Sequence, residues 1–195
     1  MTIPPFHWWR TVFYLIPLIS IYTIVLGTLS VVSSLFERNG RFAHWCARTW
    51  SRLILATTGV RVRARGLEGL APGETYVFVS NHQSIYDIPI VFDTLPLQLR
   101  IVAKASLGRF KGGPFLIAID AGLPLVPVTV AHSRHVMLKG RLMTCPGKVD
   151  LIVHEPIATA GLTREDARAL AERVRAVVAA GLVGAGDGPL AEAGP

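Results

Sequence analysis

Cysteine is nearly missing: Cys46 and Cys145 are the two in 195 residues. They form no CxxC or CxxH arrangement, which argues against a zinc site and a disulfide scaffold and fits a reducing compartment. The chain also lacks the spacings of RRM, KH and zinc-finger modules, the Gly-x-Ser-x-Gly turn of serine hydrolases, and internal repeats. Acidic residues are scarce beside basic ones, 13 against 20, giving a formal net charge of +7. That balance favours an anionic partner, whether nucleic acid, an anionic bilayer or a phosphorylated substrate. At 51% apolar, with a mean hydropathy of +0.44, the chain is greasier than a soluble nucleic-acid binder, so a membrane is preferred and nucleic acid is not expected. The length allows one catalytic domain beside a membrane segment.

Charge is absent altogether between Arg10 and Glu37, where 26 uncharged residues run in succession. As a helix this run would reach about 39 Å, enough to cross a hydrocarbon core of about 30 Å. It exceeds the ~7–15-residue apolar core of a signal peptide and has no cleavage site after it, so a retained anchor is expected. Pro17 and Gly27 leave open a kinked span or a segment that enters and leaves one leaflet. Trp8 and Trp9 suit an interfacial aromatic belt, and Arg38, Arg41, Arg48 and Arg52 after the run outweigh Arg10 before it, placing the rest of the chain on the cytoplasmic side.

Past the anchor, Arg41 to Thr58 has helical spacing, with Phe42, Trp45, Thr49, Leu53 and Ala56 on one stripe, His44, Arg48 and Arg52 on another, and Gly59 as a C-cap. This is either a helix packed on the domain or a basic interfacial helix on lipid headgroups. Residues 60–65 alternate as a strand with a basic face. Residues 75–80 make a strand buried on both faces, and 99–104, 124–130 and 148–154 three more. Residues 114–122 form a helix closed by Gly122, and Thr163-x-x-Asp166 opens a helix to about Ala180. The predicted organisation is an anchor and interfacial helix over 1–58, an α/β domain with helix-flanked strands over 59–180, and a flexible Gly/Ala-rich tail over 181–195.

Asn81-His82-Gln83-Ser84-Ile85-Tyr86-Asp87 follows the 75–80 strand, in the strand-to-helix loop where α/β sheets keep their sites. Among the six histidines only His82 has an aspartate five residues on. A neutral imidazole can take the proton from a hydroxyl attacking a thioester, and a carboxylate on the first helical turn can hold the ring and its tautomer. Ser84-x-x-Asp87 is equally a capping box, which explains Asp87 without catalysis but leaves His82 and Asn81 unexplained.

NHQSIYD closely resembles the NHxSxxD signature of the glycerolipid acyltransferases, the group containing 1-acylglycerol-3-phosphate acyltransferase. VAKASLGR (102–109), FKGGPFLIAIDAGLPLVPVTV (110–130), PGKVDLIVHEPI (146–157) and GLTREDARAL (161–170) resemble later family segments in the same order. The resemblance implies a mixed sheet flanked by helices, and acyl transfer from acyl-CoA or acyl carrier protein to the sn-2 hydroxyl of lysophosphatidate at the cytoplasmic face of the cell inner membrane, without metal or organic cofactor. By position, His82 is the base and Asp87 its partner, with Asn81, Gln83, Ser84, Lys104 and Lys111 as substrate contacts. Lys104 and Lys111 stand near Arg109, which runs straight into Phe110, where the family carries a longer segment with a phosphate-gripping Glu-Gly-Thr-Arg motif. That motif occurs nowhere in this chain. A second reading is therefore a catalytically silent, shortened homologue that binds lysophospholipid or membrane. Pro127 is expected at an edge or bulge, and His132 and His135 at the surface.

Overall fold

The computed structural model describes residues 5–100, 113–137 and 143–187. Lys104, Arg109 and Lys111 and most of the expected 99–104 strand lie outside them. By internal packing the chain divides into two units, one made of residues 1–63, 82–100 and 132–149, the other of 64–81, 101–131 and 150–195.

In the first unit the uncharged run forms one continuous helix, Phe6–Ser33, built of α1 (Pro5–Arg10), a π-helical turn (Thr11–Leu15) and α2 (Ile16–Ser33). Pro17 and Gly27 therefore do not divide it. The π turn comes immediately before Pro17; a widened turn with i→i+5 bonding is one way a helix accommodates a proline that cannot donate. Among the described residues this is the one helix long and apolar enough to cross a membrane, and only 6% of its most apolar window is buried. Its buried residues are Thr11 and Leu15, both in the π turn, whereas α2 buries none.

The next helix, α3 (Arg41–Thr58), matches the expected span and ends on Gly59 in the left-handed region. Glu37 starts it, its carboxylate accepting from the Arg41 and Phe42 amides at 3.1 and 2.9 Å, where the positive end of the helix dipole favours an anion. The two stripes are used differently from a simple amphipathic helix. Cys46, Ile54, Leu55 and Thr58 face inward, while Phe42 and Trp45 stack on each other in the open, 5.5 Å apart. The basic stripe lies along α4 (Asp87–Thr94), with Arg52 still exposed. His44 packs against Phe92, Arg48 donates to the Asp93 carbonyl at 3.0 Å, and Arg52 reaches the Asp93 carboxylate at 3.2 Å. Burial and the neighbouring Arg48 charge lower the pKa of His44.

The strands β1 (Val60–Arg65), β2 (Val77–Ser80), β3 (Leu125–Ala131) and β4 (Gly147–Val153) form a mixed sheet in the order β1-β4-β3-β2. β2 runs parallel to β3, with Val77 opposite Leu125 and Ser80 opposite Val128, and β4 runs antiparallel to β3. β2 is half-buried rather than buried on both faces, and among the described residues it is the last strand in the order. β3 is the fully buried strand. Pro127 stands inside it, in register with Val79 and at the expected bulge: Val128 pairs with Val153 but Leu125 with Ile157, so one extra residue lies on the facing segment, and the Pro127 carbonyl accepts from the His154 amide at 3.0 Å. Lacking an N–H, it leaves one rung of the ladder unmade, and a break in the register is where a strand tolerates that loss.

In the second unit, α5 (Gly113–Ala121), closed by Gly122 at φ 62°, and α7 (Ala167–Gly184) build the core with β3. Phe115, Ala118 and Ile119 meet Leu125, Ile157, Leu170, Val174 and Val178 there. Thr163 and Asp166 make the expected capping box, the Asp166 carboxylate accepting the Thr163 amide at 2.7 Å and hydroxyl at 2.9 Å, which lowers its pKa. α7 then continues past Ala180 to Gly184. Gly181 lets it approach the sheet: a Cβ there would stand 2.5 Å from the Thr129 hydroxyl and 2.9 Å from the His154 ring. In the first unit, His132 takes a left-handed φ of 68° just before the short helix α6 (Ser133–Val136), and its ring centre lies 6.1 Å from that of His135.

Candidate active site

Where β2 ends, Asn81 continues the ladder with its side chain. Its amide donates to the Val130 carbonyl and its carbonyl accepts from the Val130 amide, both at 2.8 Å and buried. An Asn side chain carries the donor and acceptor of a peptide group, so it can pair with a strand as one more backbone rung. Asn81 thereby clamps the strand end to β3.

The loop beyond it is organised around one oxygen. Asp87 Oδ2 accepts from the Gln83 amide at 2.7 Å and the Ser84 amide at 2.9 Å, and it stands 3.1 Å from His82 Nδ1. The Ser84 hydroxyl takes the Tyr86 amide at 3.3 Å. The expected capping box is only half made: Asp87 accepts the Ser84 amide, but the Ser84 hydroxyl takes the Tyr86 amide and α4 has no side-chain cap, so the oxygen that gathers the loop is also the one facing the ring. The contrast in exposure is chemical: the Asp87 side chain is 4% exposed and the His82 side chain 67%. With the Asp87 carboxylate 3.1 Å from Nδ1, a ring carrying its single proton on Nδ1 would present Nε2 as a proton acceptor.

Residue by residue, His82, Gln83, Ser84 and Asp87 meet in one loop. Gln83 and Ser84 enter through their backbone amides, and the Gln83 side-chain oxygen has no hydrogen-bond partner among the described residues. Lys104 and Lys111 lie outside those residues. Tyr86 was not singled out in the sequence, yet it is 3% exposed, and its hydroxyl donates to Thr144 Oγ1 at 3.1 Å. Burial raises its pKa, opposed by hydrogen bonds with Thr144 and Thr58 and by the Arg10 charge. The sequence offered no signal for this contact except an aromatic residue inside the signature.

Known proteins place this loop and fold in context. A 1-acyl-sn-glycerol-3-phosphate acyltransferase alpha from Mus musculus is 26% identical over 176 residues, covering 60% of this chain and 62% of the relative. A chloroplastic enzyme of the same name from Brassica napus is 27% identical over 195 residues, covering 69% and 56%. The chain resembles the 1-acyl-sn-glycerol-3-phosphate acyltransferases. It spans about six-tenths of the length of the curated relatives it matches. The mouse alignment runs over 176 residues while using only 60% of this chain, so a long internal stretch of that relative has no counterpart here. No family model matches. The crystal structure of the acyltransferase PlsC from Thermotoga maritima shares the fold, with a TM-score of 0.63 at 21% identity over 84% of this chain and 93% of that one.

Proposed function

We propose that this chain moves an acyl group from a thioester, acyl-CoA or acyl carrier protein, to the sn-2 hydroxyl of 1-acyl-glycerol-3-phosphate, forming phosphatidate. The observation that carries the reading is the exposed His82 imidazole with its Nδ1 3.1 Å from the buried Asp87 carboxylate. The names of the relatives support the substrate class.

His82 Nε2 accepts the hydroxyl proton as the oxygen attacks the thioester carbonyl, and the imidazolium is stabilised by Asp87. The tetrahedral intermediate collapses with loss of the thiolate, which takes the proton back from Nε2. The balance closes without an enzyme nucleophile, metal or organic cofactor. The apolar helix Phe6–Ser33 supports membrane attachment. The charge asymmetry around it supports a catalytic unit on the cytoplasmic side of the inner membrane, where lysophosphatidate is met in the bilayer.

A second reading rests on the internal stretch without counterpart: a silent homologue that binds lysophospholipid or membrane without turnover. Acyl transfer from labelled long-chain acyl-CoA to lysophosphatidate by detergent-solubilised protein, beside His82→Ala, separates the two. Under the first reading turnover disappears in the variant. Equal rates in both proteins would remove His82 as the base. A folded wild-type protein inactive with all donors and acceptors offered would leave the silent homologue.

A further inference from the structure

We infer that Arg10, Thr11 and Tyr86 form a positioning network through which the membrane-anchoring helix holds the loop carrying His82 and Asp87. The inference rests on the acyl-transfer reading above. Every residue of the network belongs to the first unit.

The chain of contacts is continuous and buried. Tyr86, immediately before Asp87, sends its hydroxyl to Thr144 Oγ1 at 3.1 Å, and the Thr144 amide donates to Thr11 Oγ1 at 3.0 Å. Thr11 in turn donates to the His7 carbonyl at 2.7 Å. Arg10, one residue earlier, spans the same place, donating to the Thr144 carbonyl at 3.2 Å and to the Thr58 carbonyl at the end of α3 at 3.4 Å. Thr11, Thr58, Tyr86 and Thr144 are all 3% exposed or less.

The shape of the helix fits this role. An uncharged helix that served only as an anchor would need no buried polar contact, and α2 buries no residue. The π turn instead buries Thr11 and Leu15. A π turn is a rare element that recurs at functional positions. Arg10 also answers an open carbonyl at the C-terminus of α3, where a cation is favoured. Tyr86 is the residue on which α4 starts: its carbonyl accepts the Ile90 amide at 3.0 Å. Fixing its ring therefore fixes the first turn, where Asp87 gathers the Gln83 and Ser84 amides and His82. These residues touch no substrate, so they are positioning residues.

The test uses the full-length chain in detergent micelles with Tyr86→Phe, Thr11→Val and the conservative Thr11→Ser. Hydrogen exchange at Gln83 and Ser84 is measured against α7 as an internal reference, together with kcat, KM for lysophosphatidate and co-sedimentation with phosphatidylglycerol vesicles. Exchange at Gln83 and Ser84 is expected to quicken in Phe and Val while α7 holds. kcat should fall by roughly tenfold to a hundredfold, the scale of a small misplacement, with KM and vesicle binding within about twofold. Thr11→Ser should restore both readouts. Unchanged exchange, or a loss confined to vesicle binding, would overturn the inference and leave the helix as an anchor alone. If Val or Phe exchanges everywhere, α7 included, the Ser variant decides: exchange and kcat like wild type support the network, and loosening confined to the loop despite a retained hydroxyl opposes it. A wild-type protein without turnover would defeat the acyl-transfer reading, while the exchange measurements still decide whether the helix holds the loop.

Discussion

Asp87 performs two tasks with one oxygen, and two substitutions separate them. In Asp87→Ala the Gln83 and Ser84 amides lose their acceptor. A buried amide left without a partner costs about 1–3 kcal/mol. Ser84 is buried, whereas Gln83 is partly open to solvent and can recruit water, so the sum is about 2–4 kcal/mol. The imidazole adds little to stability, because its side chain is 67% exposed and the pair is screened. In Asp87→Asn the side-chain carbonyl still accepts both amides, as a neutral acceptor, and the loss falls to about 1–2 kcal/mol. Catalysis responds differently. Asn offers no charge to the imidazolium and does not enforce the productive tautomer, so both variants should lose about 10²–10⁴ in kcat. Urea denaturation should therefore rank wild type above Asn above Ala, while initial rates of acyl transfer group Asn with Ala. An Asn variant turning over within fivefold of wild type would show that the carboxylate is a cap and nothing more.

Two further outcomes test the framework around the site. Gly181→Ala should destabilise the protein by about 1–3 kcal/mol in thermal or urea unfolding, because its Cβ would press on Thr129 and His154; a stabilisation of about 1 kcal/mol, as at an open helix position, would refute the close approach. His154 has its pKa lowered by burial from an ordinary 6.5. The unfolded chain therefore binds its proton first as pH falls, and stability should drop from about pH 6.5 down to the folded value and then level off. His154→Gln should flatten that part of the profile, and an unchanged profile would assign the dependence elsewhere.

The readable parts of the fold were those specified by neighbours in sequence. Alternation around Val60 and Val62, Gly59 and Gly122 as helix stops, and the Thr163–Asp166 box each depend on contacts within a few residues, and each stands where expected. The His82–Asp87 pairing also spans only five positions. What escaped notice was long-range. Which stripe of α3 turns inward depends on where α2 and α4 lie, so the aromatic Phe42–Trp45 stripe is exposed and the basic stripe is engaged by Phe92 and Asp93. Asn81 and Val130 are 49 residues apart, and Tyr86 and Thr144 are 58 apart. No local pattern links them.

By the family resemblance, the internal stretch without counterpart bears on substrate grip. By motif order it would fall between Arg109 and Phe110, after α4 and before α5. Without it, the four strands still form one hydrogen-bonded order, and the core between α5, α7 and β3 is closed. The His82–Asp87 pair is likewise complete within its own loop. By that resemblance, the arginine of the absent Glu-Gly-Thr-Arg motif would serve the acceptor phosphate, a group equally charged before and during acyl transfer. Its loss removes binding shared by ground and transition states, which raises KM for lysophosphatidate and leaves kcat standing, whereas a failed base lowers kcat at any concentration. Saturation with acceptor thus distinguishes a chain that holds its substrate weakly from one that has lost its chemistry.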